Sequence, residues 1–452
     1  MSNSIAKENK MGVMPIPKLL ISMSLPMIAS MLVQALYNIV DSMFVAQLNE
    51  EALTAVSLAF PIQNLMIAVA AGTGVGVNAL LSKSLGEQNQ KQANQIGRNG
   101  IFLAILSYIL FAILGISGSR FFFAVQTSDP LIIEYGTQYL SIITIASIGI
   151  FLQITFERLL QSTGRTIFNM ITQGTGAIIN IILDPILIFG WFGFPKMGVA
   201  GAAVATVIGQ IVAVFMAIYF NHHYNKEINI SMKSFRPSKR TITTIYKIGV
   251  PSIIMQSIGS LTTFGMNNIL LLFSSTAATV FGVYFKLQSF IFMPVFGLTN
   301  GMIPIIAYNY GARNKKRIYT TIKLSIVIAV GIMLAGLLLF QMLPGTMLRI
   351  FDASENMLSI GIPALRIISL SFVFAGYSII CCSVFQALGN GVYSLMVSAS
   401  RQLIVILPIA FLFAKLFGLS MVWWAYPLAE LVSLVTCTFF LKKILTDKIS
   451  IL

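Results

Sequence analysis

LLISMSLPMIASMLVQALYNIVDSMFV, residues 19–45, is an almost unbroken apolar stretch with one charged residue, Asp41. At 1.5 Å of rise per helical residue, roughly 20 residues cross a hydrocarbon layer about 30 Å thick. The stretch is long enough to span a bilayer. No small-residue cleavage site follows a short core, so it reads as a retained span and not as a signal peptide. Similar stretches recur almost to Leu441, and the whole chain of 452 residues is 57% hydrophobic and only 10% charged. A soluble globular chain carries about 25% charged residues, so this composition cannot build a water-facing surface. A membrane barrel would alternate polar and apolar residues over ~10-residue segments, and that alternation is absent here. The fold class is therefore all-α integral membrane. Cys381, Cys382 and Cys437 lie inside apolar segments and act as small hydrophobes, so no disulfide framework is expected.

Apolar runs and helix breakers predict twelve spans, near 18–46, 52–82, 97–118, 131–158, 165–191, 198–220, 244–272, 276–306, 318–342, 356–385, 391–415 and 418–441. Both termini then share one side of the membrane. The segments on that side hold 22 Lys and Arg; the opposite loops hold four, Arg120, Lys196, Arg349 and Lys415. The positive-inside rule places both termini in the cytoplasm of a multi-pass cell-membrane protein. The net charge of +15 thus reflects topology and attraction to anionic lipid, with no nucleic-acid partner implied. Residues 1–17 read as a cytoplasmic N-terminal segment, 18–220 as an N-lobe, 221–243 as a cytoplasmic interlobe linker, 244–441 as a C-lobe and 442–452 as a cytoplasmic tail. His222 and His223 in the linker lack Cys or acidic partners at ligand spacing, so they carry no metal assignment.

Moving the second half back by 225 positions superimposes Pro26 on Pro251, Gln63 on Gln288, Gly72 on Gly297 and Gly76 on Gly301. The register continues through SLGEQNQK (84–91) and NYGARNKK (309–316), through Gly136 and Gly361, and to Gln161 with Gly164 against Gln386 with Gly389. Six spans per repeat is an even number. The halves therefore insert with one orientation, related by an axis along the membrane normal. A substrate path is expected where such pseudo-symmetric lobes face each other, opened to each side in turn as one rocks against the other. Gly72, Gly74 and Gly76 lie in an apolar helix, where helix packing explains them better than a phosphate loop.

The residues resemble the multidrug and toxic compound extrusion (MATE) family of the MOP superfamily over essentially the whole chain. The resemblance rests on SLPMIASMLVQALYNIVDSMFV (24–45), SLGEQNQ (84–90), QSTGR (161–165), NIILDPILIFG (180–190) and GVAGAAVAT (198–206). It is strongest to the bacterial branch of DinF-like and MepA-like exporters. It implies two six-helix lobes and export of organic, often cationic, compounds driven by inward flow of cations. The NorM-like branch carries acidic ligands on its seventh and tenth helices. Here the seventh span offers Met266, Asn267 and Asn268 and the tenth has no acid, so coupling is expected in the N-lobe.

Asp41 in the first span and Asp184 in the fifth are costly at membrane depth, at ~2.5–3.5 kcal/mol each on insertion scales. Counted inward from Leu48 and Trp191, both lie ~10 Å below the outer interface, and Thr206, counted from Gly198, lies ~12 Å down. Tyr37 and Asn180 sit one turn from Asp41 and Asp184. These five form a plausible cluster, and the resemblance implies the same residues as the cation-coupling site. Two adjacent carboxylates repel, which a shared proton relieves; the oxygens of Asp41, Asn180, Asp184 and Thr206 equally suit Na+. The coupling ion is thus H+ or Na+, with no cofactor and no other metal. Pro185 cannot donate to the carbonyl of Ile181, and Pro26 cannot donate to that of Ser22, which makes Pro26 a candidate hinge.

Polar candidates for lining the substrate path are Gln34, Tyr37, Gln63, Gln153, Gln256, Asn267 and Gln288. In the C-lobe, Glu430 is expected to pair with Arg401 or Arg366 as structural glue, with Lys286 at similar depth; Glu157 and Arg158 are expected to brace a closed inner gate. The leading reading is a secondary multidrug antiporter acting as a monomer on small organic molecules in lipid. A flippase for lipid-linked oligosaccharides is the alternative. An enzyme is disfavoured, since no HExxH, no Cys and His pair within a span and no P-loop is present.

Overall fold

Backbone N–H and C=O groups inside a bilayer find no water and must be satisfied within the segment, which leaves an apolar chain the helix. In the computed structural model, which describes residues 9–233, 235–351 and 353–452, no strand occurs among the described residues. The expectation for residues 1–8 lies outside them. The first half comprises α1 (Lys10–Val13), α2 (Ile16–Ala46), α3 (Glu50–Gly86), α4 (Gln90–Gln126), α5 (Pro130–Ile145), α6 (Ile148–Ser162), α7 (Thr166–Phe189) and α8 (Val199–Tyr224). The second begins with α9 (Lys239–Leu271), α10 (Ser275–Gly311), α11 (Lys315–Met342), α12 (Pro344–Arg349), α13 (Glu355–Ser369) and α14 (Phe372–Ala387). It continues with α15 (Gly391–Ala399), a π-helical turn at Ser400–Ile406, α16 (Leu407–Phe417), α17 (Leu419–Val422) and α18 (Ala425–Ile444).

Among the described residues eight helices are long and apolar enough to cross a membrane, with α15 to α16 taken as one, and two bent pairs bring the number to ten. The pairs are α5 with α6, bent by 43°, and α13 with α14, bent by 48°. The other two expected spans are α9, which carries Ser, Thr and Asn along its length, and α18, which carries Glu430 and ends at Lys442 and Lys443. Helices α3 and α4 run past the expected 52–82 and 97–118 at both ends, and side-chain caps hold their N-terminal ends. Asn49 accepts from Ala52 N at 2.7 Å and Asn89 from Gln92 N at 3.0 Å, satisfying donors that a helix start leaves open.

Packing divides the chain into two units that do not follow chain order: the residues up to Ile28 together with Ile254–Leu452, and Ala29–Ile253. The division runs inside α2 and α9, two residues beyond Pro26 and Pro251. Glycines on the partner helices set both arrangements. A Cβ at Gly72 of α3 would lie 2.5 Å from Ile253 Cγ1 of α9, and one at Gly297 of α10 would lie 2.5 Å from Ile28 Cα of α2. The 225-residue repeat maps the first contact onto the second, residue by residue, so these glycines serve helix packing, as the sequence indicates.

Candidate functional site

All five residues of the expected coupling cluster belong to the Ala29–Ile253 unit. Helices α7 and α8 form a close hairpin. α7 ends at Gly190 in the left-handed region (φ +78°), and the chain returns so that Met197 N and Gly198 N donate to the carbonyls of Leu187 and Ile188 at 2.9 and 3.1 Å. Farther down the hairpin the backbones touch, since a Cβ at Gly209 would lie 2.7 Å from the Gly176 carbonyl oxygen. That proximity lets short side chains meet. Asn180 Nδ2 donates to Asp184 Oδ1 at 3.3 Å and to Thr206 Oγ1 at 3.2 Å. Asp184 is fully buried and Asn180 is 3% exposed.

From α2, half-buried Asp41 brings its carboxyl within hydrogen-bonding reach of Asp184, and Tyr37 stands in the electrostatic field of both. With its amide N–H spent, Asn180 turns its oxygen elsewhere. Asp41 Oδ1, Asp184 Oδ2 and Asn180 Oδ1 are all buried and have no protein donor among the described residues. Three buried oxygens lacking donors, two of them from acids, form a strong acceptor for a hard cation or a shared proton.

Tyr139 of α5, 2% exposed, faces Asp41, Tyr37 and Asp184 and reaches the side chain of Gln63. Sequence reading missed it. Tyr139 lies in an ordinary apolar stretch, and its only signal is a polar atom deep within the fourth span.

The polar candidates for a substrate path are divided between the two units. Gln34, Tyr37, Gln63 and Gln153 lie in the Ala29–Ile253 unit, and Gln256, Asn267 and Gln288 in the other. Gln63 is engaged with Tyr139, and Gln153 Nε2 donates to Glu157 Oε1 at 3.1 Å. Glu157 is 3% exposed and also accepts from Thr172 Oγ1 at 2.9 Å and Gln173 Nε2 at 2.7 Å, while Arg158 Nη1 donates to Gln161 Oε1 at 2.7 Å.

In the other unit Arg401 Nη1 donates to Glu430 Oε1 at 2.7 Å, across from the π-helical turn to α18. Lys286 and Arg366, expected at pairing depth, are exposed and form no ion pair among the described residues; Lys286 instead stands 5.9 Å from the Phe351 ring centroid. Arg401 already neutralises Glu430.

Duplicated six-span halves, helices that pass between the packing units and a buried acidic cluster define a multi-pass membrane transporter. The chain belongs to the MatE family, whose sequence pattern matches residues 26–186 and again 251–412, starting 225 positions apart. It is similar to the multidrug export protein MepA of Staphylococcus haemolyticus (strain JCSC1435), 27% identical over 442 residues and covering 96% of each chain. MepA of Staphylococcus aureus (strain MRSA252) is 26% identical over 419 residues, covering 92% of this chain and 91% of its own. A solved outward-facing structure of a multidrug resistance MATE family transporter of the MOP superfamily matches with a TM-score of 0.92 at 24% identity, covering 98% of both chains. The family assignment leaves the flippase reading without support, and the protein is a transporter and not an enzyme.

Proposed function

We propose that the protein is a secondary antiporter that exports organic, often cationic, compounds from the cell in exchange for protons or sodium ions. Both termini are cytoplasmic, and the chain works as a monomer in the cell membrane. Coupling resides at Asp41 and Asp184, helped by Tyr37, Asn180 and Thr206. The observation that carries this reading is the set of three buried oxygens lacking protein donors on α2 and α7.

In this mechanism a cation arriving from outside neutralises the acid pair and draws α2 toward α7. Emptied, the acids repel and α2 is released. Pro26 lets that change bend the helix, because the Ser22 carbonyl receives no donor from it, and α2 leaves one packing unit for the other two residues later. A ligand shifts such an equilibrium only through its different affinity for the two states, and the acid pair supplies that difference. Substrate contacts at Gln34, Tyr37, Gln63, Gln153, Gln256, Asn267 and Gln288 are part of the proposal, as polar positions along the expected path. The relatives named for multidrug export support the substrate class.

The test is efflux of a fluorescent organic cation from proteoliposomes under separately imposed proton and sodium gradients. Acceleration by one gradient identifies the ion; indifference to both contradicts antiport.

A further inference from the structure

Residues 225–233 and 235–238, between α8 and α9, lie along the start of α4. Asn94 Oδ1 accepts from Asn229 N at 2.7 Å, Arg98 Nε donates to the Asn229 carbonyl at 3.3 Å, and Asn99 Oδ1 accepts from Ser238 N at 3.0 Å. Gln90 Nε2 donates to the Glu227 carbonyl, and the rings of Phe235 and Phe102 stand 6.0 Å apart. Between helix and segment a cavity of about 260 Å³ remains, lined by Lys91, Asn94, Gln95, Arg98, Phe235 and Arg236.

Every charge in that lining is positive. The acids nearest in sequence are engaged elsewhere, Glu87 with Lys83 at 3.5 Å and Glu227 with Arg165 at 3.1 Å, and among the described residues none of the three cations has an ion-pair partner. Three cations around one cavity raise each other's energy, and an anion lowers it. The repeat offers an internal control. Arg236 and Lys91 map, 225 positions away, onto Met11 and Lys316. In that unit Met11 is fully buried, and Arg317 donates to the carbonyls of Met11 and Met14 at 3.0 and 2.7 Å and to Asn309 Oδ1 at 3.0 Å. There the chain's own carbonyls occupy the guanidinium. Around the cavity Arg98 makes a like contact with the Asn229 carbonyl, whereas Lys91 and Arg236 have no such acceptor among the described residues.

We propose that this cavity binds a phosphate-bearing anion through Lys91, Arg98 and Arg236 and thereby fastens residues 235–238 to α4. Guanidinium groups match phosphate oxygens in geometry as well as charge, and Asn94 and Gln95 add neutral donors. The phosphate has two possible sources, the headgroup of an anionic phospholipid or a soluble phosphate compound.

Thermal melting of the full-length protein in mixed micelles tests the site and separates the sources. One arm compares dioleoyl phosphatidylglycerol with the zwitterionic phosphatidylcholine, and the other compares inorganic phosphate with chloride at equal ionic strength. The expected result is a rise in melting temperature with the anionic lipid, with phosphate, or with both. Lys91→Gln combined with Arg236→Gln should weaken the apparent affinity roughly thirty-fold, and Lys316→Gln, the repeat image of Lys91, should leave it unchanged. The single variants are measured too, so that a misfolded double variant leaves the test standing. A lipid response lost in the variants assigns the site to a headgroup, and a phosphate response lost in them assigns it to a soluble ligand. Equal responses to the two lipids with no response to phosphate, or a wild-type response in the variants, would overturn the proposal.

Discussion

The fifth and sixth spans of the two halves solve the same packing problem with opposite chemistry. In the first half α7 and α8 touch through Gly176 and Gly209 and hold together one acid, Asp184, an asparagine and a threonine, with the second acid, Asp41, supplied by α2. In the second half the span from α15 to α16 meets α18 through Arg401 and Glu430 at 2.7 Å. One site carries its own countercharge; the other does not. A buried charge with a built-in partner is held in one state, whereas a buried acid pair without one must take its positive charge from outside the protein. The difference supports the proposal that the second half's pair is structural and the first half's acids exchange ions.

Four variants press on that contrast. Glu430→Gln leaves Arg401 without its countercharge and should lower unfolding stability by about 3 kcal/mol, read by denaturant titration in micelles. Replacing both residues with apolar ones, Arg401→Met with Glu430→Leu, should recover most of the loss and keep gradient-driven efflux; loss of efflux in a stable double variant would give the ion pair a role in transport. Gly209→Val drives a side chain against the Gly176 carbonyl and should cost about 2 kcal/mol while also weakening cation dependence, since it parts Asn180 from Thr206. Thr206→Val removes one hydrogen bond from Asn180 and should cost about 1 kcal/mol, with a measurable change in the ion concentration for half-maximal efflux. An unchanged ion dependence would place Thr206 outside the coupling site.

Much of this was legible in the chain. Asp41, Asp184, Asn180 and Thr206 could be brought to one depth by counting residues, because a transmembrane helix turns sequence distance into depth at a fixed rise. The repeat was legible because both halves keep the same register from Pro26 and Pro251 onward. What stayed hidden depends on azimuth. Depth alone puts Lys286 and Arg366 level with Glu430, yet both side chains are exposed and the pair is made by Arg401 instead, because only packing decides which way a residue faces. Tyr139 escaped for the same reason. The passage of α2 and α9 between packing units was likewise invisible, since it rests on contacts such as Gly72 with Ile253 that join distant segments.

The most direct trial of the central claim is export by Asp41→Asn, at matched protein level and melting temperature, in proteoliposomes energised by the active gradient. Loss of the negative charge should reduce gradient-driven efflux by more than about tenfold, equivalent to roughly 1.4 kcal/mol or more of lost coupling. Efflux at the wild-type rate, still responsive to the gradient, would contradict a coupling role for the acid pair.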